Sequence, residues 1–173
     1  RTGMQQHAGV RSKLGKLGPG GLRATIEALR QFTGIIREAN PGIPLVLLGH
    51  SWGSLMAQII INDHSGDYDA AVLTGTAFRT FRHMNGGDLN ARHKHLGTTG
   101  VEWLSRDVAV HHAFRADQLT FDAKIIERFG LVDALRLMGK PKRDLPHDIP
   151  VLIMVGDDDP LGGEDSAALL ADA

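Results

Sequence analysis

At 173 residues, 42% hydrophobic and 23% charged, the chain has room for one buried core and the make-up of an ordinary globular domain. Nineteen basic against 20 acidic residues leave a formal net charge of -1, which offers no electrostatic footprint for nucleic acid. The absence of cysteine excludes disulfides, thiolate metal sites and a cysteine nucleophile, and no apolar run reaches the roughly 18 residues of a membrane span.

Residues 1–20 scatter basic side chains through a glycine-rich stretch and read as a loop. The opening lacks both an initiator Met and a basic-then-apolar leader, so the compartment stays open, with the cytoplasm as the default expectation. Leu22, Ile26, Leu29, Phe32 and Ile36 fall on one helical stripe while Arg23, Glu27, Arg30 and Arg37 face the other way. That period predicts a helix, stopped by Asn40-Pro41-Gly42.

Residues 43–48 form a continuous apolar run, which predicts a strand covered on both faces, as in a parallel sheet. A tight turn, Gly49-His50-Ser51-Trp52-Gly53, leads into a helical pattern through Leu55, Met56, Ile59 and Ile60 that should end near Asp63. Residues 68–74 read as the next buried strand, so strand, helix and strand make a parallel βαβ unit. Residues 79–147 contain no convincing strand and show helical patterns over 101–106, 108–116 and 121–137, which suggests a helical insertion. A third buried strand follows at 151–155, and residues 164–173 begin another helix. The chain thus divides into core (1–78), insertion (79–147) and returning core (148–173).

The turn has the form G-x-S-x-G, which holds a serine in strained backbone geometry between strand and helix with its hydroxyl exposed. Gly49 and Gly53 are expected to be glycine because strand and helix backbones approach too closely for a β-carbon. Such a serine needs a base and a carboxylate that fixes the base, in the chain order serine, acid, histidine. GDDDP, after the third strand, supplies the acid, and Asp159 is favoured over Asp157 and Asp158. All three alternatively only end the strand and cap the next helix. Residues 160–173 hold no histidine. His50 lies inside the turn and should point away from the hydroxyl, and His147 precedes the acid, so the base is expected beyond residue 173. His83, His93, His95, His111 and His112 lack regular ligand spacing and interleaved carboxylates, so no metal site is expected. The Trp52 backbone N–H is the expected oxyanion donor. Trp103, Leu104, Phe114, Leu119 and Phe121 either line an acyl-chain tunnel or pack the insertion on the core.

LVLLGHSWGS, VLTGT, EWLSRD and VLIMVGDDDPLGG together resemble α/β-hydrolases of the monoacylglycerol lipase and lysophospholipase type. The resemblance implies a partial α/β-hydrolase fold with a cap over the serine, Ser51 as nucleophile and Asp159 as triad acid. It also implies an acyl-enzyme mechanism without cofactor on an ester or lysophospholipid substrate, with transient contact to a membrane or lipid aggregate. Such proteins are longer, so the chain is expected to be an internal segment, nearly inactive alone. Other ester or peptide hydrolases of this fold, and a binding protein that has lost the triad, stay open.

Overall fold

The computed structural model describes residues 14–173, so the expected loop over 1–13 lies outside the described residues. Helix α1 spans Gly21–Ala39, strand β1 Val46–His50, helix α2 Trp52–His64 and strand β2 Ala70–Thr74. After a long connection that includes α3 (Val108–Ala116) and α4 (Ile125–Arg136) come β3 (Val151–Met154) and α5 (Gly163–Ala171). The strands form one parallel sheet in the order β1-β2-β3, with Leu48 opposite Val72 and Val72 opposite Leu152. The expected βαβ unit is therefore present, and all three strands point their carboxyl ends to one edge.

One face of the sheet carries the core. Ala71 and Leu73 of β2 pack with Ala57, Ile60 and Ile61 of α2, Leu170 of α5 and Ile149, and Leu47 and Ile153 join them. The opposite face corrects the sequence reading of a sheet covered on both sides. Val46 (51% exposed), Leu48 (66%), Leu152 (54%) and Met154 (52%) lie bare, because α2 and α5 both sit against the alternate residues of each strand. An unbroken apolar run says that both faces of a strand are hydrophobic, not that the described chain covers both.

The expected stripe on α1 is divided in a similar way. Leu22 is buried and Ile26 packs on the core, but Phe32 is 58% and Leu29 37% exposed. The β2–β3 connection docks on α1 and α2 through a second apolar cluster of Leu22, Leu55, Met56, Met84, Leu137 and Leu161. A buried guanidinium helps to seat it. Arg79 donates from Nε to Gln58 Oε1 (3.0 Å) and from Nη1 to the Leu137 carbonyl (2.7 Å). Burial lowers its pKa to about 10, so it stays charged at neutral pH and depends on these acceptors. Within α4, Gly130 adopts φ 78 and breaks the helical path, so the helix expected over 121–137 is two short pieces joined at a residue suited to that conformation.

Candidate active site

Ser51 stands between β1 and α2 at φ 50, ψ -123, the one non-glycine residue with positive φ among the described residues. Such a conformation costs on the order of 1–3 kcal/mol and persists only where its surroundings hold it. Several backbone bonds hold it here. The Ser51 N–H donates to the Thr74 carbonyl (2.9 Å), and the Ser51 carbonyl accepts from the N–H of Ser54 (2.8 Å) and Leu55 (3.3 Å) and from Ser54 Oγ (2.6 Å). The last three draw the first turn of α2 tight under the serine.

The two turn glycines differ. A Cβ on Gly49 would sit 2.6 Å from the Gly53 carbonyl oxygen and 2.8 Å from Ser54 Cα, both backbone atoms, so strand and helix meet there as expected. A Cβ on Gly53 would meet nothing within 4 Å. The steric reason given for Gly53 from the sequence therefore fails: its backbone forms the helix side of the close crossing, but its own Cβ would point into open space.

That space is a cavity of about 1090 Å³ beside Ser51. Trp52, Leu55 and Met56 of α2, Leu29 and Phe32 of α1, and Phe121, Ile125 and Phe129 of the β2–β3 connection form its apolar walls. Trp52 stacks on Phe129 with ring centroids 4.8 Å apart, which ties the turn to α4. The Trp52 backbone N–H occupies the first position of α2, where a helix offers no internal acceptor and the dipole favours negative charge. Of the apolar residues expected to contact an acyl chain, Phe121 lines this cavity. Trp103 and Phe114 line a neighbouring cavity of about 680 Å³, whereas Leu104 and Leu119 line neither. Leu29 and Phe32 were placed on the apolar stripe of the helix, and nothing in the sequence marked Phe129 or Met56 as wall.

Asp159 reaches the same edge of the sheet. A Cβ on Gly75, just past β2, would lie 3.1 Å from His50 Cε1 and 3.5 Å from Asp159 Oδ2, so the acid and the residue preceding Ser51 flank one glycine. Asp159 Oδ1 accepts the Leu161 N–H at 2.8 Å. Its two neighbours are engaged elsewhere: Asp157 meets Arg106 at 3.2 Å, and Asp158 meets Arg92 at 2.9 Å and His93 at 3.0 Å.

The histidines are dispersed. His50 Nδ1 bonds the Thr74 hydroxyl (2.8 Å), His83 Nδ1 the Thr80 hydroxyl (2.8 Å) and His111 Nε2 the Ser105 carbonyl (2.7 Å), while His95 and His112 are exposed. No three metal-ligating side chains converge among the described residues. His147 is anchored through its N–H to Ser65 Oγ (2.8 Å), at the far end of α2 from Ser51. Thirteen helical residues separate the two by about 20 Å, too far for proton transfer. Among the described residues lining the Ser51 cavity, His50 is the one histidine.

The family described as serine aminopeptidase, S33, matches residues 11–173. The chain belongs to this α/β-hydrolase family. It is also 29% identical over 158 residues to a monoacylglycerol lipase of Mycolicibacterium smegmatis, a match covering 85% of this chain and 55% of that protein. The chain thus spans about half the length of this curated relative. The described residues hold three parallel strands with the strained serine and the Asp157 to Asp159 loop at one sheet edge.

Proposed function

We propose that this chain carries the nucleophile and the acid of a serine hydrolase that cleaves carboxylic esters with a lipid-like acyl group. Ser51 attacks the ester carbonyl, the alcohol leaves, and water releases the acyl group from the Ser51 ester. Asp159 orients a histidine contributed by sequence past residue 173, and the Trp52 N–H stabilises the oxyanion. The carrying observation is a strained serine opening on a large, predominantly apolar cavity, which suits a long hydrocarbon chain. The relative's name, monoacylglycerol lipase, agrees with this choice.

The family description also raises cleavage of peptides from a free amino end. That reaction needs a carboxylate to hold the substrate ammonium. The charged residues lining the cavity among the described residues are Lys16, Lys124 and Arg128, which repel an ammonium group rather than hold it. The ester is the better fit. As the isolated 173-residue chain, turnover should be very slow, since loss of the triad histidine costs on the order of a millionfold.

The test is hydrolysis of a chain-length series of p-nitrophenyl esters by the protein expressed from its whole reading frame. Longer acyl chains should be preferred over acetate, with activity abolished by Ser51→Ala. Activity that survives Ser51→Ala, or is confined to amino acid p-nitroanilides, would overturn the proposal.

A further inference from the structure

The segment EWLSRD and the histidine-rich stretch before it have no part in the chemistry described so far. In the fold they converge on the acid loop. Glu102 is 3% exposed and collects the Thr99 N–H (2.6 Å), Thr99 Oγ1 (2.7 Å) and the Gly100 N–H on Oε1, and Asn90 Nδ2 (2.7 Å) on Oε2. Asn90, also buried, accepts the Trp103 N–H on Oδ1 and the His93 N–H on its carbonyl (2.9 Å). The His93 imidazole, with 5% of its side chain exposed, then places Nε2 3.0 Å from Asp158 Oδ2. A buried polar network of the β2–β3 connection therefore ends on the residue next to Asp159.

The contacts differ in weight. Arg106 with Asp157 is about 80% exposed on both sides and Arg92 with Asp158 is half exposed, so water and salt screen them. The imidazole is withdrawn from water, and the buried network behind it holds the His93 backbone through the N–H to Asn90 carbonyl bond. Its Nδ1 is buried with no partner, so Asp158 is the one polar anchor of the ring among the described residues. A triad acid on a loop must be held within a fraction of an ångström to orient an imidazole. Among the described residues the Asp159 carboxylate accepts only the Leu161 N–H, on Oδ1, and that bond does not tie the loop to the rest of the molecule.

We propose that His93, acting through Asp158, is a positioning residue for Asp159: the buried imidazole pins the acid loop to the β2–β3 connection and fixes where the triad carboxylate stands. The inference rests on the ester-hydrolase reading above. In the resting state His93 donates from Nε2–H to the carboxylate, and the hydrogen bond from His93 is the leading reason that the Asp158 carboxyl lies below its ordinary range. Arg92 and Arg106 face the same carboxylate and act in the same direction.

The experiment is steady-state p-nitrophenyl ester kinetics against pH on the protein from its whole reading frame, comparing His93→Phe, Asp158→Ala, the double variant and His93→Gln. Asp158 is half exposed, so its Ala variant, which removes the acceptor, keeps the fold. His93→Phe and Asp158→Ala should each lower kcat about tenfold or more with KM unchanged, and the double variant should be no worse than either single one. The acid limb of kcat/KM should move to lower pH, because a histidine that loses its carboxylate is easier to deprotonate. His93→Gln, whose amide N–H reaches the Nε2 position, should restore most of kcat. Variants with wild-type kcat and acid limb, or a Gln variant as impaired as Phe, would overturn the positioning role while leaving the hydrolase reading intact. A wild type with no Ser51-dependent turnover would overturn both.

Discussion

Adding one methyl group at each glycine of the turn should have opposite effects. In Gly49→Ala the new carbon lies 2.6 Å from the Gly53 carbonyl oxygen, 2.8 Å from Ser54 Cα and 2.9 Å from the Gly53 carbonyl carbon. Ordinary carbon contacts need about 3.5 Å, so β1 and α2 must part by nearly 1 Å. No side chain can swing aside, since all three atoms are backbone. Overpacking of this kind costs about 1–3 kcal/mol, and more where backbone must move. It would also stretch the Ser51 N–H to Thr74 bond, now 2.9 Å. Gly53→Ala places its carbon in open space within α2 and should gain up to about 1 kcal/mol through helix propensity. At roughly 2–4 °C per kcal/mol for a chain of this size, thermal unfolding followed by circular dichroism should show Gly49→Ala melting about 2–12 °C lower. Gly53→Ala should melt at or slightly above wild type. Equal losses at both positions, or a larger loss at Gly53, would refute the geometry assigned to the turn.

The acid loop and the buried carboxylate make two more predictions. Asp159→Asn should lower ester turnover by about 10⁴-fold, as loss of a triad carboxylate does, whereas Asp157→Asn, which breaks only an exposed pair with Arg106, should stay within about twofold; p-nitrophenyl ester assays of the two decide between the neighbours. For Glu102, burial alone would raise the carboxyl, but bonds from Thr99, its own backbone and Asn90 bring it from the ordinary 4.5 to about 2. A depressed folded value means stabilisation fully present above pH 4.5 and lost as pH falls through about 2. Melting temperature should therefore drop across that window, and the Glu102→Gln variant should melt lower at neutral pH with a flatter acid slope.

How far these features were legible in the sequence varies by residue. The turn was, because a glycine-flanked serine between an apolar run and a helical period has a specific steric meaning, which Gly49 fulfils and Gly53 does not. Leu29 and Phe32 were placed only on an apolar stripe, because a helical period identifies the apolar face but not whether that face meets side chains or empty volume. The same limit applies to Val46 and Leu48, whose hydrophobicity is patent in the sequence while their exposure is not. The sequence favoured Asp159 among three consecutive acids but could not show what engages the other two. The partners that occupy Asp157 and Asp158 come from 51 and 65 residues away, so only the fold could show which carboxylate is left to face His50. The paired Glu102 and Asn90 are likewise a product of tertiary structure, since neither residue type announces burial.

The most direct measurement of the central claim is covalent labelling by a fluorophosphonate, read by intact mass and peptide mapping on the protein from its whole reading frame. An activated serine should take up one phosphonyl group on Ser51, and Ser51→Ala should take up none. A folded protein that remains unmodified, or is modified at another residue, would contradict the assignment of Ser51 as nucleophile.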